Sequence, residues 1–311
     1  ATPLVDNNGK WLNHTDTKNV SADISCTAGQ MARGLGLALA SKKYRELDID
    51  VEQQFSKNGD EVTFVTIGDA STSEGVFWET MNAAAVSRVP LAVSVWDDGY
   101  GISVPKEYQT VKGSISKAME GMLIDENGEG IIIVTVKGYD YPDLISVYSR
   151  IIKKVRKNHI PALIHVQDLT QPQGHSTSGS HERYKSKERL DWEKNHDCNE
   201  IMGAWMLENN LISQDEMDKM KADAKTYVKE SAAKAWKAYQ SPIKDKKKNL
   251  IEIISAYKTK NSVSKLANDT ISEINDLFSL SLGEITKIAR KFYFSARPLL
   301  DDSFEELKTF I

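Results

Sequence analysis

Twice in the first third of the chain an apolar, β-rich run breaks off into small and acidic residues. Val62 to Ile67 leads into Gly68-Asp69-Ala70-Ser71-Thr72-Ser73-Glu74-Gly75, and Leu91 to Val95 leads into Trp96-Asp97-Asp98-Gly99-Tyr100-Gly101-Ile102-Ser103. Between the two, Phe77, Met81, Ala84 and Ala85 recur at about one helical turn. Strand, helix and strand in that order form a βαβ unit. Such crossovers are almost always right-handed, and ligands of open α/β sheets collect beyond the carboxyl ends of the strands. Asp69 and Asp98, 29 residues apart, are therefore expected to converge on one small patch. Two converging carboxylates beside glycine-rich backbone suit a hard divalent cation and a phosphate-bearing ligand. Read one at a time, the same aspartates fit equally as cap or turn residues after a strand.

The alternation continues from about Ile24 to Val166. Candidate strands are Val62–Ile67, Leu91–Val95, Ile131–Val136 and Ala162–Val166, and candidate helices are Gln30–Leu47, Phe77–Arg88, Ser114–Met122 and Pro142–Lys157. This is the pattern of an α/β fold, a mostly parallel sheet covered by helices on both faces. Gly68, Gly99, Gly138 and Gly174 all follow the strands, at the edge where a ligand approaches. Residues 170–190 contain the small, polar stretch Gln171-Pro172-Gln173-Gly174-His175-Ser176-Thr177-Ser178-Gly179-Ser180-His181, which cannot build a core and is expected to form a loop near that edge.

Beyond it the sequence turns helical, over Asn199–Asn209 and then from a capping box, Ser213-Gln214-Asp215-Glu216, to about Tyr239. After Pro242 the composition shifts toward Lys, Asn, Ser and Leu in helical segments Asn249–Lys258, Ser262–Phe278 and Ser281–Ala296. The expected division is an irregular segment 1–24, a ligand-binding domain 25–242, and a helical extension or linker 243–311.

A net charge of −4 gives no general pull toward nucleic acid, and the basic runs at Lys153–Lys157 and Lys244–Lys248 read as solvated helix faces. No apolar run approaches the roughly 18 residues that cross a bilayer, and Ala1-Thr2-Pro3 does not open a signal peptide, so a cytoplasmic protein with no membrane partner is expected. Cys26 and Cys198, the only cysteines, have neither disulfide-framework nor zinc spacing and are expected to be free thiols.

With these residues in view, the stretch from about Ser25 to Tyr239 resembles the α subunit of the thiamine-diphosphate-dependent E1 component of 2-oxo acid dehydrogenase complexes. It is most similar to the branched-chain type, through Gly174-His175-Ser176-Thr177-Ser178 followed by Tyr184, Ser186 and Asp191-Trp192. The resemblance implies thiamine diphosphate and Mg²⁺ as cofactors. Asp69, Asp98 and the carbonyl of Tyr100 take the metal-ligand positions. Gly68 and the amides of Ala70 and Ser71 lie on the diphosphate side, and Ile102 stands at the large apolar position that wedges the cofactor into a bent form. Ser25 and Thr27 belong to the strip facing the aminopyrimidine ring, and His175 takes the place of the catalytic loop histidine. Ser176 and Ser178 match positions phosphorylated in some relatives. The implied partners are an E1 β subunit or fused β domain and a lipoyl-bearing E2 acyltransferase, in an α2β2 or fused dimeric assembly.

Several positions depart from the family pattern. Ala70 stands where a glycine is usual, Asp98 where an asparagine is usual, and Trp96 where branched-chain enzymes carry an arginine. The last two changes leave less positive charge for a diphosphate and more to the metal and His175. No counterpart of the family's further N-terminal active-site histidine stands out in Ala1–Ile24. Three other readings compete. A non-catalytic assembly half would fit Asp98 and Trp96, and a transketolase-like enzyme would share the cofactor. A phosphatase or receiver domain would need a nucleophilic aspartate after a strand, and Asp48-Ile49-Asp50 follows a predicted helix instead.

Overall fold

The computed structural model describes residues 2–22, 24–47, 49, 54–175, 181–299 and 304–311. The chain divides into two compact units, Ala1–Ile212 and Ser213–Ile311.

In the first unit helix α1 (Gln30–Glu46) precedes strand β1 (Thr63–Gly68), helix α2 (Gly75–Ser87) and strand β2 (Leu91–Trp96). A short hairpin, β3 (Tyr100–Gly101) with β4 (Val104–Pro105), leads to helix α3 (Ile115–Ala118), strand β5 (Ile132–Lys137), helix α4 (Tyr141–Asn158) and strand β6 (Ala162–Gln167). Helices α5 (Lys187–Asn195) and α6 (Cys198–Glu208) close the unit. The four long strands form one parallel sheet in the order β1-β2-β6-β5, with Thr63 opposite Leu91, Ala92 opposite Ala162 and Ile132 opposite Ala162. The α/β class and the parallel sheet are as expected from the alternating runs.

The apolar runs explain why the sheet forms. Val93, Val95, Leu163 and Ile164 lie on strands that are buried almost without interruption, as strands covered on both faces must be. One cluster packs Met31, Ala38, Phe77 and Met81 of α1 and α2 against Val65, Ile67, Val93 and Val95, and another packs Val147, Ile151 and Val155 of α4 against Val136, Ile164 and Val166. Because the strands are parallel, all four carboxyl ends open on one edge, and the loops carrying the acidic motifs, the hairpin and residues 168–175 leave from it.

In the second unit, helix α7 (Gln214–Ser255) starts at the expected capping box, with Ser213 and Glu216 bonded reciprocally. It runs on through Pro242 and is joined by α8 (Ser264–Asn275), α9 (Leu282–Ala296) and α10 (Glu305–Phe310). Ile243, Leu250, Phe292, Phe304 and Leu307 form its core. The expected division at 242/243 is therefore displaced to 212/213. Pro242 removes one internal helix bond without ending the helix, because Ile243, Leu250, Ile253 and Ile254, on the stretch beyond it, are fastened by burial. No described helix is long and apolar enough to cross a membrane, and Cys26 and Cys198 are free.

Candidate active site

The two acidic motifs meet at the carboxyl ends of β1 and β2. The register pairs Gly68 with Trp96, and the Asp69 amide donates to the Trp96 carbonyl at 3.1 Å. Asp69 then starts a single 3-10 turn, Ala70–Ser73, held by the Thr72 amide and hydroxyl, which both donate to the Asp69 carbonyl. The hairpin closes over that turn: a Cβ added at Gly101 would stand 2.7 Å from the Ala70 Cβ, and the Ser73 hydroxyl donates to the Gln109 carbonyl at 3.1 Å. Glycine at 101 leaves room there for the Ala70 methyl and the Gln109 side-chain amide, which a Cβ would meet at 2.7 and 2.5 Å.

Three carboxyls gather here with different fates. Asp97 is buried and fully engaged: it accepts from the Gly99 amide at 2.9 Å, from Lys106 Nζ at 2.9 and 3.2 Å, and from His165 Nε2 at 2.9 Å. His165, itself buried in β6, sits with Nδ1 2.9 Å from the Ser116 hydroxyl. Burial alone would raise Asp97, but the His165 and Lys106 bonds outweigh it and hold the carboxyl below its ordinary range.

Asp69 is the opposite case. It is 6% exposed, and its Oδ2 is buried with no hydrogen-bond partner among the described residues. Burial first, then the negative charges of Asp97 and Asp98, push its carboxyl up to about 7. Asp98 is raised too, chiefly by burial, against the opposing pull of the Tyr100 amide, which donates to its Oδ1 at 3.1 Å, and of Lys185. A buried carboxylate oxygen without a donor is costly, and a bound cation would remove that cost. The donor set, two oxygen-bearing carboxyls and neighbouring backbone carbonyls, is that of a hard divalent ion. Among the described residues no three His, Cys, Asp or Glu side chains are grouped to hold a metal, so such an ion would need backbone and ligand oxygens as well.

The remaining expected residues take these places. Tyr100 heads the hairpin, its ring 5.7 Å from that of Tyr184 and beneath the Lys185 ammonium at 5.2 Å. Ile102 is at the hairpin tip, 61% exposed and with φ at +61°, a conformation that strains a β-branched residue and that protein sites retain where the side chain has a use. Ser25 and Thr27 are exposed just ahead of α1, whose Gln30 side chain donates to the Thr66 carbonyl at 3.0 Å and so ties that segment toward the end of β1. His175 is exposed beside Gly174, and among the described residues no hydrogen bond or ion pair joins it to Asp69 or Asp98. Ser176, Ser178, Asp48 and Asp50 lie outside the described residues. Trp96 is half-exposed, its indole N–H donating to Ser94 Oγ at 3.0 Å.

Sequence reasoning missed Asp97, Lys106, His165 and Arg189. One signal was available, a histidine inside the otherwise apolar Ala162–Val166 run. Arg189 donates from Nη2 to the carbonyls of Asp98 at 2.8 Å and Leu169 at 3.1 Å, reaching the turn from helix α5. A cavity of about 200 Å³ opens between Asp98, Lys106, Asp168 and Arg189.

The chain is similar to several α subunits. It is 25% identical over 181 residues to the acetoin:2,6-dichlorophenolindophenol oxidoreductase α subunit of Cupriavidus necator, 58% of this chain and 52% of that protein. It is 26% identical over 214 residues to the 2-oxoisovalerate dehydrogenase α subunit of Bacillus subtilis, 68% and 58% of the two chains. Against the 3-methyl-2-oxobutanoate dehydrogenase α subunit of Mycobacterium tuberculosis it is 30% identical over 178 residues, 56% and 42%. The chain thus spans about half the length of the curated relatives it matches. The family model described as "Dehydrogenase E1 component" matches residues 8–244. A match over well more than half of the chain, across the whole sheet and both acidic motifs, makes this protein a member of the dehydrogenase E1 component family.

Proposed function

We propose that this chain is the α part of a 2-oxo acid dehydrogenase E1, an oxidoreductase of the cytoplasm that works only with a β subunit or fused β domain. The family depends on thiamine diphosphate, and the α part holds its Mg-diphosphate half. The observation that carries the reading is the orphaned, buried Oδ2 of Asp69 beside Asp98. Metal would be held by Asp69, Asp98 and the Tyr100 carbonyl. Gly68 leaves open room at the end of β1, where a Cβ would meet only Ser71 Oγ at 3.9 Å, and the amides of Ala70 and Ser71 would face the phosphates. Ile102 would brace the cofactor, Ser25 and Thr27 would border its ring, and His175 would act at the mouth of the site as a phosphate or substrate contact.

Thiamine diphosphate, when bound, supplies the carbon nucleophile that a 2-oxo acid needs to lose CO2. The chain's own contribution is positional. Asp97, locked by Lys106 and His165, fixes the turn that presents Asp98, and burial of Asp69 leaves an oxygen that no described side chain or amide satisfies. The overall reaction is oxidative decarboxylation of pyruvate or a branched-chain 2-oxo acid, with the acyl group passed to a lipoyl group on an E2 acyltransferase. Relatives named as 2-oxoisovalerate and 3-methyl-2-oxobutanoate dehydrogenases support the branched-chain acids, and relatives named as pyruvate dehydrogenases support pyruvate. The α and β parts would assemble as an α2β2 or fused dimer, as the family resemblance implies.

Calorimetric titration of the protein together with its β part, using thiamine diphosphate and Mg²⁺, tests this. Heat of binding lost in Asp69→Asn, with decarboxylation of a branched-chain 2-oxo acid in the parent, is the expected result. No heat and no decarboxylation in the parent would replace it with a non-catalytic assembly half.

A further inference from the structure

Helix α5 is short and polar, yet it is fastened with unusual care. Glu193 is 2% exposed and accepts from buried Lys185 Nζ at 2.7 and 3.0 Å and from Arg189 Nε at 2.8 Å. One turn earlier the Ser186 hydroxyl caps the helix by accepting from the Arg189 amide at 3.2 Å. The guanidinium is thereby aimed: Nε is taken by Glu193, Nη2 by the Asp98 and Leu169 carbonyls, and its Cζ lies 4.6 Å from the centroid of the Trp192 ring and 5.9 Å from that of Tyr100. A lysine could supply the charge there but not the fork that bridges an anchor carboxylate and two carbonyls at once.

We propose that Arg189 is a positioning residue for the Asp98–Tyr100 turn, setting where the Asp98 carboxyl and the Tyr100 carbonyl stand. The role rests on the functional reading above, in which those two groups hold the metal. The argument is geometric. The side chain of Asp98 is already committed through Oδ1 to the Tyr100 amide, so the orientation of its Oδ2 follows the peptide plane between 99 and 100, and Arg189 grips the oxygen of the plane just before it, between 98 and 99, at the root of the same turn. Asp97 secures the same turn from inside the sheet through Lys106 and His165, and Arg189 secures it from outside. Partners of this outer kind cost about 10- to 100-fold in metal affinity when removed.

The experiment compares Arg189→Met and Arg189→Lys with the parent in the complete protein, by backbone hydrogen exchange without ligand and by Mn²⁺ titration with thiamine diphosphate present. Both variants are expected to speed exchange of the Gly99 and Tyr100 amides about tenfold or more, to leave β1 and β2 unchanged, and to raise the Mn²⁺ dissociation constant about 10- to 100-fold. Faster exchange confined to α5, with Gly99 and Tyr100 unmoved, would show a staple for the helix alone and overturn the proposal. So would full recovery of exchange and affinity in Arg189→Lys, which would leave charge as the whole effect. If the parent itself binds no Mn²⁺, the functional reading falls, and the exchange comparison still decides whether Arg189 sets the turn.

Discussion

Replacing Asp69 by asparagine removes a charge that the folded protein holds at a cost, and the size of that cost follows from linkage. The carboxyl is displaced from its ordinary 3.8 to about 7, by burial first and by Asp97 and Asp98 second. Below pH 4 both folded and unfolded chains carry the proton and the group contributes no slope. Between 3.8 and 7 the unfolded chain releases its proton while the folded one keeps it, so stability is lost progressively as pH rises, and above 7 the loss is complete. A displacement of roughly three pH units at about 1.4 kcal/mol each sets a ceiling of about 4 kcal/mol. Asp69→Asn, nearly isosteric and uncharged, is expected to stabilise the ligand-free first unit at pH 8 by a sizeable part of that ceiling and to lose the advantage toward pH 4. The assay is urea unfolding of the ligand-free protein across that pH range, followed by tryptophan emission, which reports mainly on the first unit because Trp236 is the sole tryptophan of the second. A variant that is no more stable at pH 8, or whose advantage grows toward acid, would refute the reasoning. If Asp69 holds the divalent ion as proposed, the same substitution is expected to gain stability while losing Mg²⁺-dependent cofactor binding.

Three further outcomes follow from individual contacts. Gly101→Ala would drive a methyl to within 2.5 Å of the Gln109 side-chain amide and 2.7 Å of the Ala70 Cβ; overpacking of this kind costs about 1–3 kcal/mol, and Ala70→Gly in the same chain, which clears only the Ala70 contact, is expected to recover part of it, as a double-mutant cycle in urea would show. Ile102→Gly relieves a β-branched residue at φ +61° and is expected to raise ligand-free stability by about 1 kcal/mol while weakening thiamine diphosphate binding; a destabilised variant would contradict it. Burial holds the His159 imidazole below its ordinary 6.5, its Nε2 lying 2.9 Å from the Gly59 carbonyl. Below about pH 6.5 the unfolded chain therefore binds the proton first and stability falls with falling pH. The difference in melting temperature between parent and His159→Gln is expected to shrink as pH drops from 7 to 5, and a constant difference would remove His159 from the acid response.

What the sequence made legible depended on the range of the interactions. The sheet strands announced themselves because burial on both faces demands unbroken apolar runs: Leu91–Val95 was expected where Leu91–Trp96 forms, and Ala162–Val166 where Ala162–Gln167 forms. The start of α7 was legible for a local reason, the reciprocal bonding of Ser213 and Glu216. Its end was not, because whether a helix survives a proline at 242 is decided by burial of Ile243 and Leu250 against segments far along the chain. Helix α5 went unread since it is mostly polar, with Leu190 and Trp192 its only apolar side chains, and is held by Glu193 rather than by an apolar stripe.

The site divides along the same line. Gly68, Asp69, Asp98 and Tyr100 follow strands and could be placed at one edge by topology. The partners that give each carboxyl its character come from remote segments, His165 for Asp97 and Arg189 for the Asp98 turn, and no spacing rule connects them. His165 and Asp97 are 68 positions apart, and only the register of β2 with β6 brings them to 2.9 Å.

The central claim is that Asp69 and Asp98 grip one divalent ion, and anomalous diffraction from crystals grown with Mn²⁺ and thiamine diphosphate tests it most directly. The account predicts a single strong peak within about 2.0–2.3 Å of a carboxylate oxygen of each residue and of the Tyr100 carbonyl. A peak touching only one of the two aspartates, or bound cofactor with no ion between them, would contradict it.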